Sequence, residues 1–115
     1  MNSYTAFQPF NIILIMEKHT AHYDLKAIKA LVMKNRMGTF TATAQQNARR
    51  MGLDASETLA VILGLQRNML FKSMTTHADH RIWQDVYHAP CPNGKIAYIK
   101  LTLQDGAVVI QFKEQ

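Results

Sequence analysis

The sequence predicts an α+β domain, with about three N-terminal helices packed on a mainly antiparallel sheet that ends in a C-terminal hairpin. Three observations carry this expectation. Helical periodicity with capping signals fills the first half, period-two alternation fills the second, and Asp105-Gly106 separates the last two alternating runs. Helices followed by strands belong to a class in which the helices cover one face of the sheet.

Residues 1–15 read as an N-terminal extension, either disordered or an added strand, ahead of a domain spanning 16–115. The apolar run Ile12–Met16 is too short to cross a bilayer, and no positively charged segment precedes a long hydrophobic stretch as secretion requires. The expectation is a soluble chain with no membrane partner.

From Asp24 to Met37, the apolar Leu25, Ile28, Leu31 and Val32 fall on one helical stripe, with Lys26, Lys29, Lys34 and Arg36 around it. Asp24 is suited to cap the start, and Gly38 marks the stop. Thr39–Thr43 is short and β-branched, a brief strand or an extended linker. Ala44–Met51 favours a second helix ended by Gly52. Asp54-Ala55-Ser56-Glu57 has capping-box spacing, with Asp in place of the usual Ser or Thr, and opens a third helix ending near Gly64.

Gln66–Thr76 begins the main sheet, with either face assignment open. Thr75–His80 is a polar connection, and Ile82–Tyr87 is a strand with something worth burying on both faces. Pro90-Cys91-Pro92-Asn93-Gly94 is a loop, in which Cys91 is expected to be an exposed, incidental thiol.

In the closing segment, Ala97, Ile99, Leu101 and Leu103 alternate with Tyr98, Lys100 and Thr102; Val108, Ile110 and Phe112 then alternate with Val109, Gln111 and Lys113. Asp-Gly supplies the positive φ angles of a two-residue turn, so Gln104 should face Ala107, Lys100 face Gln111, and Tyr98 face Lys113. The polar face then gathers a phenol, two ammonium groups and an amide. A plain solvated sheet face is the competing reading, and a three-residue loop with a bulge would shift the register.

The 115 residues, 48% hydrophobic and 18% charged, fit one domain with one modest core. Thirteen Lys and Arg against eight Asp and Glu give a formal charge of +5, which makes polyanions candidate partners. The single cysteine excludes an internal disulfide and a multi-thiolate zinc site, and it fits a reducing cytoplasm.

Cleaving RNA without a metal needs a base for the 2′-hydroxyl, positive charge on the developing phosphorane and a proton source for the leaving 5′-oxygen. Lysine and tyrosine supply all three. Lys72 is the candidate for the base or the main phosphate clamp, Lys113 for phosphate stabilisation, and Tyr98 for proton transfer or backbone positioning. Gln84, if it points to the polar face, accepts from one neighbour and donates to a phosphate oxygen. Lowering a lysine from about 10.4 to about 7 costs roughly 4 kcal/mol, which clustered ammonium groups and partial burial supply.

His80, Arg81, Tyr87, Lys100 and Gln111 are candidate substrate-binding residues. Phe71, Trp83 and Tyr87 are able to stack bases, with core packing as the competing role for each. His77 and His80 with Asp79 between them, and His88 farther on, invite a metal reading. Neither a zincin helix signature nor a cysteine partner accompanies them, so no metal or other cofactor is expected.

From Met16-Glu17-Lys18 onward, and above all in FKSMTTHADHRIWQDVY over 71–87 and the closing FKEQ, the chain resembles the motility quorum-sensing regulator toxins, the MqsR family of mRNA interferases. The resemblance implies a RelE-like toxin fold, a cytoplasmic role in a type II toxin-antitoxin pair, and cleavage of single-stranded mRNA at short GC-containing sites without the ribosome. It implies an MqsA-like antitoxin with a zinc-binding part and a helix-turn-helix part; promoter DNA is then met only through that partner, to which any zinc belongs. The family's functional positions fall on Lys72, Gln84, Tyr98 and Lys113. Where the family often has tyrosine before the first of these, this chain has Phe71, and the segment before Met16 departs from the family's compact start.

The expectation is therefore a metal-independent endoribonuclease neutralised by its antitoxin. A non-catalytic antitoxin-binding domain, an RNA-binding module without turnover and a histidine-metal hydrolase are its rivals.

Overall fold

Alternation along the C-terminal strands decides where the core lies. Ala97, Ile99, Leu101, Val108, Ile110 and Phe112 are all buried, and the residues between them face the other way. The structure, a computed structural model, describes the backbone of Tyr4–Phe7 and residues 15–115. Its elements are β1 (Tyr4–Phe7), β2 (Ile15–Lys18), α1 (Leu25–Asn35), α2 (Ala42–Arg50), α3 (Ala55–Leu63), β3 (Leu70–Thr75), β4 (Trp83–Pro90), β5 (Ile96–Gln104) and β6 (Ala107–Glu114). The strands form one sheet in the order β1-β2-β3-β4-β5-β6, each antiparallel to its neighbour.

The α+β class and the terminal hairpin are as the sequence predicts, and the hairpin register matches residue for residue. Gln104 faces Ala107, Lys100 faces Gln111, and Tyr98 faces Lys113. Asp105 and Gly106 both have positive φ, 53° and 76°, the backbone of a tight two-residue turn.

Helices do not come first, however. β1 and β2 precede them and extend the sheet, because Glu17 and Lys18 pair with Met74 and Ser73. The rest of the expected extension, 1–3 and 8–14, lies outside the described residues, as does the apolar run before Ile15.

The three helices cover the core face. Ile28 and Val32 of α1, Ala44 and Ala48 of α2, and Leu59 and Ile62 of α3 join the strand side chains in one cluster. Asp24 caps α1 by accepting from Lys26 N at 3.0 Å. Asp54 and Glu57 complete the capping box that opens α3, at 2.8 and 3.0 Å. The second helix starts at Ala42, earlier than the run of helix-favouring residues from Ala44 indicates, because Thr41 caps it by accepting from Ala44 N at 3.0 Å.

A buried carboxylate fixes the turn that leads into α1. Asp85, 1% exposed on β4, accepts from the backbone N–H groups of His22 and Tyr23, both at 2.9 Å. One short side chain thereby ties the β2–α1 connection to the sheet.

Two expectations need correction. Cys91 is buried, not exposed: its N–H donates to Lys95 O at 2.8 Å, closing a tight turn that delivers the side chain into the core. Burial also pushes its thiol pKa up, so the thiolate is disfavoured. Tyr87 is 1% exposed and belongs to the core, because β4 alternates it onto the same face as Ala89. It is not available to stack a base. Its phenol is pushed up to about 12, mainly by burial.

No described helix is long and apolar enough to cross a membrane.

Candidate active site

The face of the sheet opposite the helices collects the chemistry. Register alone builds two rows across it. Lys72 pairs with Val86, Val86 with Lys100, and Lys100 with Gln111; one step along, His88 pairs with Tyr98 and Tyr98 with Lys113. Gln84 pairs with Met74, itself opposite Glu17, so its amide lies on this same face two residues from Val86.

A bulge adds one more side chain. Leu70 pairs with Tyr87 but Lys72 pairs with Val86, so Phe71 is an extra residue in β3. Leu70 can then keep the core side while Phe71 and Lys72, adjacent in sequence, both reach the polar face. Phe71 is 51% exposed. Its ring stacks on His88 with centroids 4.6 Å apart and planes at 19°, and His88 in turn meets Tyr98 at 5.4 Å.

Cations border this aromatic row. Lys113 Nζ lies 5.1 Å from the Tyr98 ring centroid, Lys100 Nζ 5.9 Å from it, and Lys72 Nζ 5.5 Å from the Phe71 ring. Lys72 also donates to Glu17 Oε1 at 2.7 Å. The pKa of Lys100 is lowered by partial burial first, then by Lys113 and Lys72. The uncharged amine of Lys100 is therefore easier to reach than in free lysine.

Lys72, Gln84, Tyr98, Lys113, Lys100 and Gln111 thus share one face. His80 and Arg81 do not join them. They sit in the β3–β4 connection beyond the Thr75–Trp83 pair, and Lys72 is three residues farther along β3, about 10 Å away at the usual strand rise. Arg81 is engaged there by Asp79, through Nε to Oδ1 and Nη2 to Oδ2, each at 3.0 Å. Those hydrogen bonds hold the Asp79 carboxyl at about 2. Among the described residues, no three His, Cys, Asp or Glu side chains gather as metal ligands would.

Two residues of this face escape a local reading of the sequence. His88 is placed by the continuation of β4 past Tyr87, and its Nε2 is buried without a hydrogen-bond partner. Counting the alternation through to Pro90 would have found it. Glu17 meets Lys72 only through a strand pairing 55 residues apart in sequence, for which nothing near either residue is a signal.

Rows of lysine with one phenol, on an exposed sheet face, can hold a phosphodiester and exchange protons with it. Comparison with known proteins points the same way. The family model described as "Motility quorum-sensing regulator, toxin of MqsA" matches residues 20–114. The mRNA interferase toxin MqsR of Escherichia coli (strain K12) is 41% identical over 100 residues, which cover 87% of this chain and 100% of that protein.

Proposed function

The chain belongs to the motility quorum-sensing regulator toxin family, and from that premise we propose that it is an endoribonuclease that cleaves messenger RNA on the polar face of its sheet. The observation that carries the site is the Tyr98–Lys113 pair, bordered by Lys100, which in turn feels the charge of Lys72.

The reaction is a metal-independent transesterification. The RNA 2′-oxygen attacks the adjacent phosphorus, the bond to the 5′-oxygen breaks, and a 2′,3′-cyclic phosphate and a 5′-hydroxyl remain. Lys72, oriented by its ion pair with Glu17, and Lys113 hold the non-bridging oxygens as negative charge grows. Gln84 and Gln111 position the backbone. Tyr98 protonates the leaving oxygen. The lowered pKa of Lys100 supports its taking the proton of the 2′-hydroxyl, since an amine accepts only when it is uncharged. His80 and Arg81, in the β3–β4 connection, contact RNA beyond the cleaved bond.

Residues 16–115 form the toxin domain of a type II pair in the cytoplasm, acting without the ribosome at short GC-containing sites and silenced by an MqsA-like antitoxin. The zinc-binding and helix-turn-helix parts, and the promoter DNA, belong to that partner.

Mapping cleavage positions and end groups on a complex RNA pool in chelator tests this reading, with Lys72→Ala as the control for contaminating nucleases. Cyclic phosphate ends that vanish in the variant support it. RNA bound without product over long incubation would leave a binding module, and activity restored only by a metal would revive a hydrolase.

A further inference from the structure

Beside the reactive face runs a groove of about 370 Å³, at the small end of the roughly 300–1,000 Å³ usual for ligand sites. One wall is the start of α2, presenting Thr41, Thr43 and Asn47; the other is β5 and β6, presenting Lys100, Gln111 and Lys113. Tyr98 lines the groove as well, so groove and reactive face are continuous.

The helix wall is pinned to the sheet edge. Thr41 N–H donates to Ile110 O at 3.1 Å, and Asn47 Nδ2 donates to Phe112 O at 3.0 Å, which leaves Asn47 Oδ1 as the ready acceptor. Thr43 and Asn47 stand four residues apart and therefore on one face of the helix. The charged groups lining the groove are lysines, so it selects an anion; its hydroxyls and amides can both donate and accept.

We propose that this groove seats the nucleotide next to the scissile phosphate, so that the RNA strand crosses the Tyr98–Lys113 row and continues beneath the first turn of α2. Lys113 meets its phosphate, and Thr43 and Asn47 meet its ribose or base edge. The assignment rests on the endoribonuclease reading and adds the path of the strand.

Thr43→Glu separates fold from function. Thr43 is exposed in the first turn of α2, where a carboxylate favours the helix dipole, so thermal stability should hold or rise. The same charge repels a phosphate entering the groove. Affinity for an uncleavable 2′-O-methyl decanucleotide, and kcat/KM on the matching RNA, should each fall about fivefold, and more at low salt. Thr43→Lys should move both the other way.

Arg49→Gln makes the same charge change on the same helix, at an exposed residue that lines a different hollow beside Met37 and Leu53, and should alter neither by more than about twofold. Equal effects of Thr43→Glu and Arg49→Gln overturn the strand path. So does unchanged RNA binding with weakened neutralisation by the antitoxin, which would give the groove to the protein partner. Matching RNA bound by the wild-type protein but never cut sinks the nuclease reading alone.

Discussion

Lys72 Nζ lies 2.7 Å from Glu17 Oε1, a contact that β2 makes possible by pairing with β3. Their side chains keep 23% and 30% of their exposure, so the ion pair contributes at most about 1 kcal/mol to folding. Its larger effect is to cancel one positive charge where RNA is proposed to lie. Glu17→Gln should leave the melting temperature within a few degrees and tighten binding of uncleavable RNA about two- to fivefold at low salt, the gain shrinking as salt rises. Weaker binding would mean that the carboxylate itself serves the substrate.

Lys100 supplies the pH dependence. Its folded pKa lies below the usual lysine value, so the unfolded chain holds this proton more tightly and folding gains stability as pH rises through the folded pKa toward that value. At neutral pH the buried charge and its neighbours Lys113 and Lys72 disfavour the fold. Lys100→Met, which keeps the apolar stem, should therefore raise the melting temperature slightly at pH 7 and lower kcat about 100-fold. It should also flatten the rise of rate with pH expected of the wild type. A variant that retains the full slope would show that another group takes the proton.

How far the sequence carried these residues depends on the range of the interaction. Tyr98, Lys113, Lys100 and Gln111 could be placed because period two and an Asp-Gly turn act within twenty residues and fix the register. Phe71 and Lys72 share a face only because β3 bulges, which changes no residue type in a way that alternation reports. Glu17 needed the partner strand. Cys91 misled because flanking prolines announce a turn without saying which way its side chain points. Tyr87 was ambiguous because β4 has apolar side chains on both faces, and only packing against the helices chooses between them.

Asp85 holds the fold from beneath the site. Its carboxylate is 1% exposed and accepts two backbone N–H groups, so truncation takes the acceptor from both donors at once. Asp85→Ala should cost about 2–4 kcal/mol, visible as a drop of more than about 10 °C in melting temperature. The loss should be paralleled by faster hydrogen exchange at the His22 and Tyr23 amides. Unchanged exchange there would assign the destabilisation elsewhere.

Phe71 offers the most specific test of how this homologue works. Its ring lies on His88, and His88 lies against Tyr98, so the exposed edge of Phe71 is joined to the proposed proton donor through one stacked imidazole. Phe71→Tyr adds a hydroxyl to a half-exposed ring, which should change stability by less than about 0.5 kcal/mol. The new phenol stands near Lys72, whose Nζ is 5.5 Å from the ring centroid. If that hydroxyl can share proton transfer, Tyr98→Phe should cost about 100-fold in kcat in the wild-type background but only about tenfold beside Phe71→Tyr. Single-turnover rates of the four proteins close the cycle. Equal losses in both backgrounds would show that Tyr98 acts alone and that Phe71 serves the substrate only as a stacking surface.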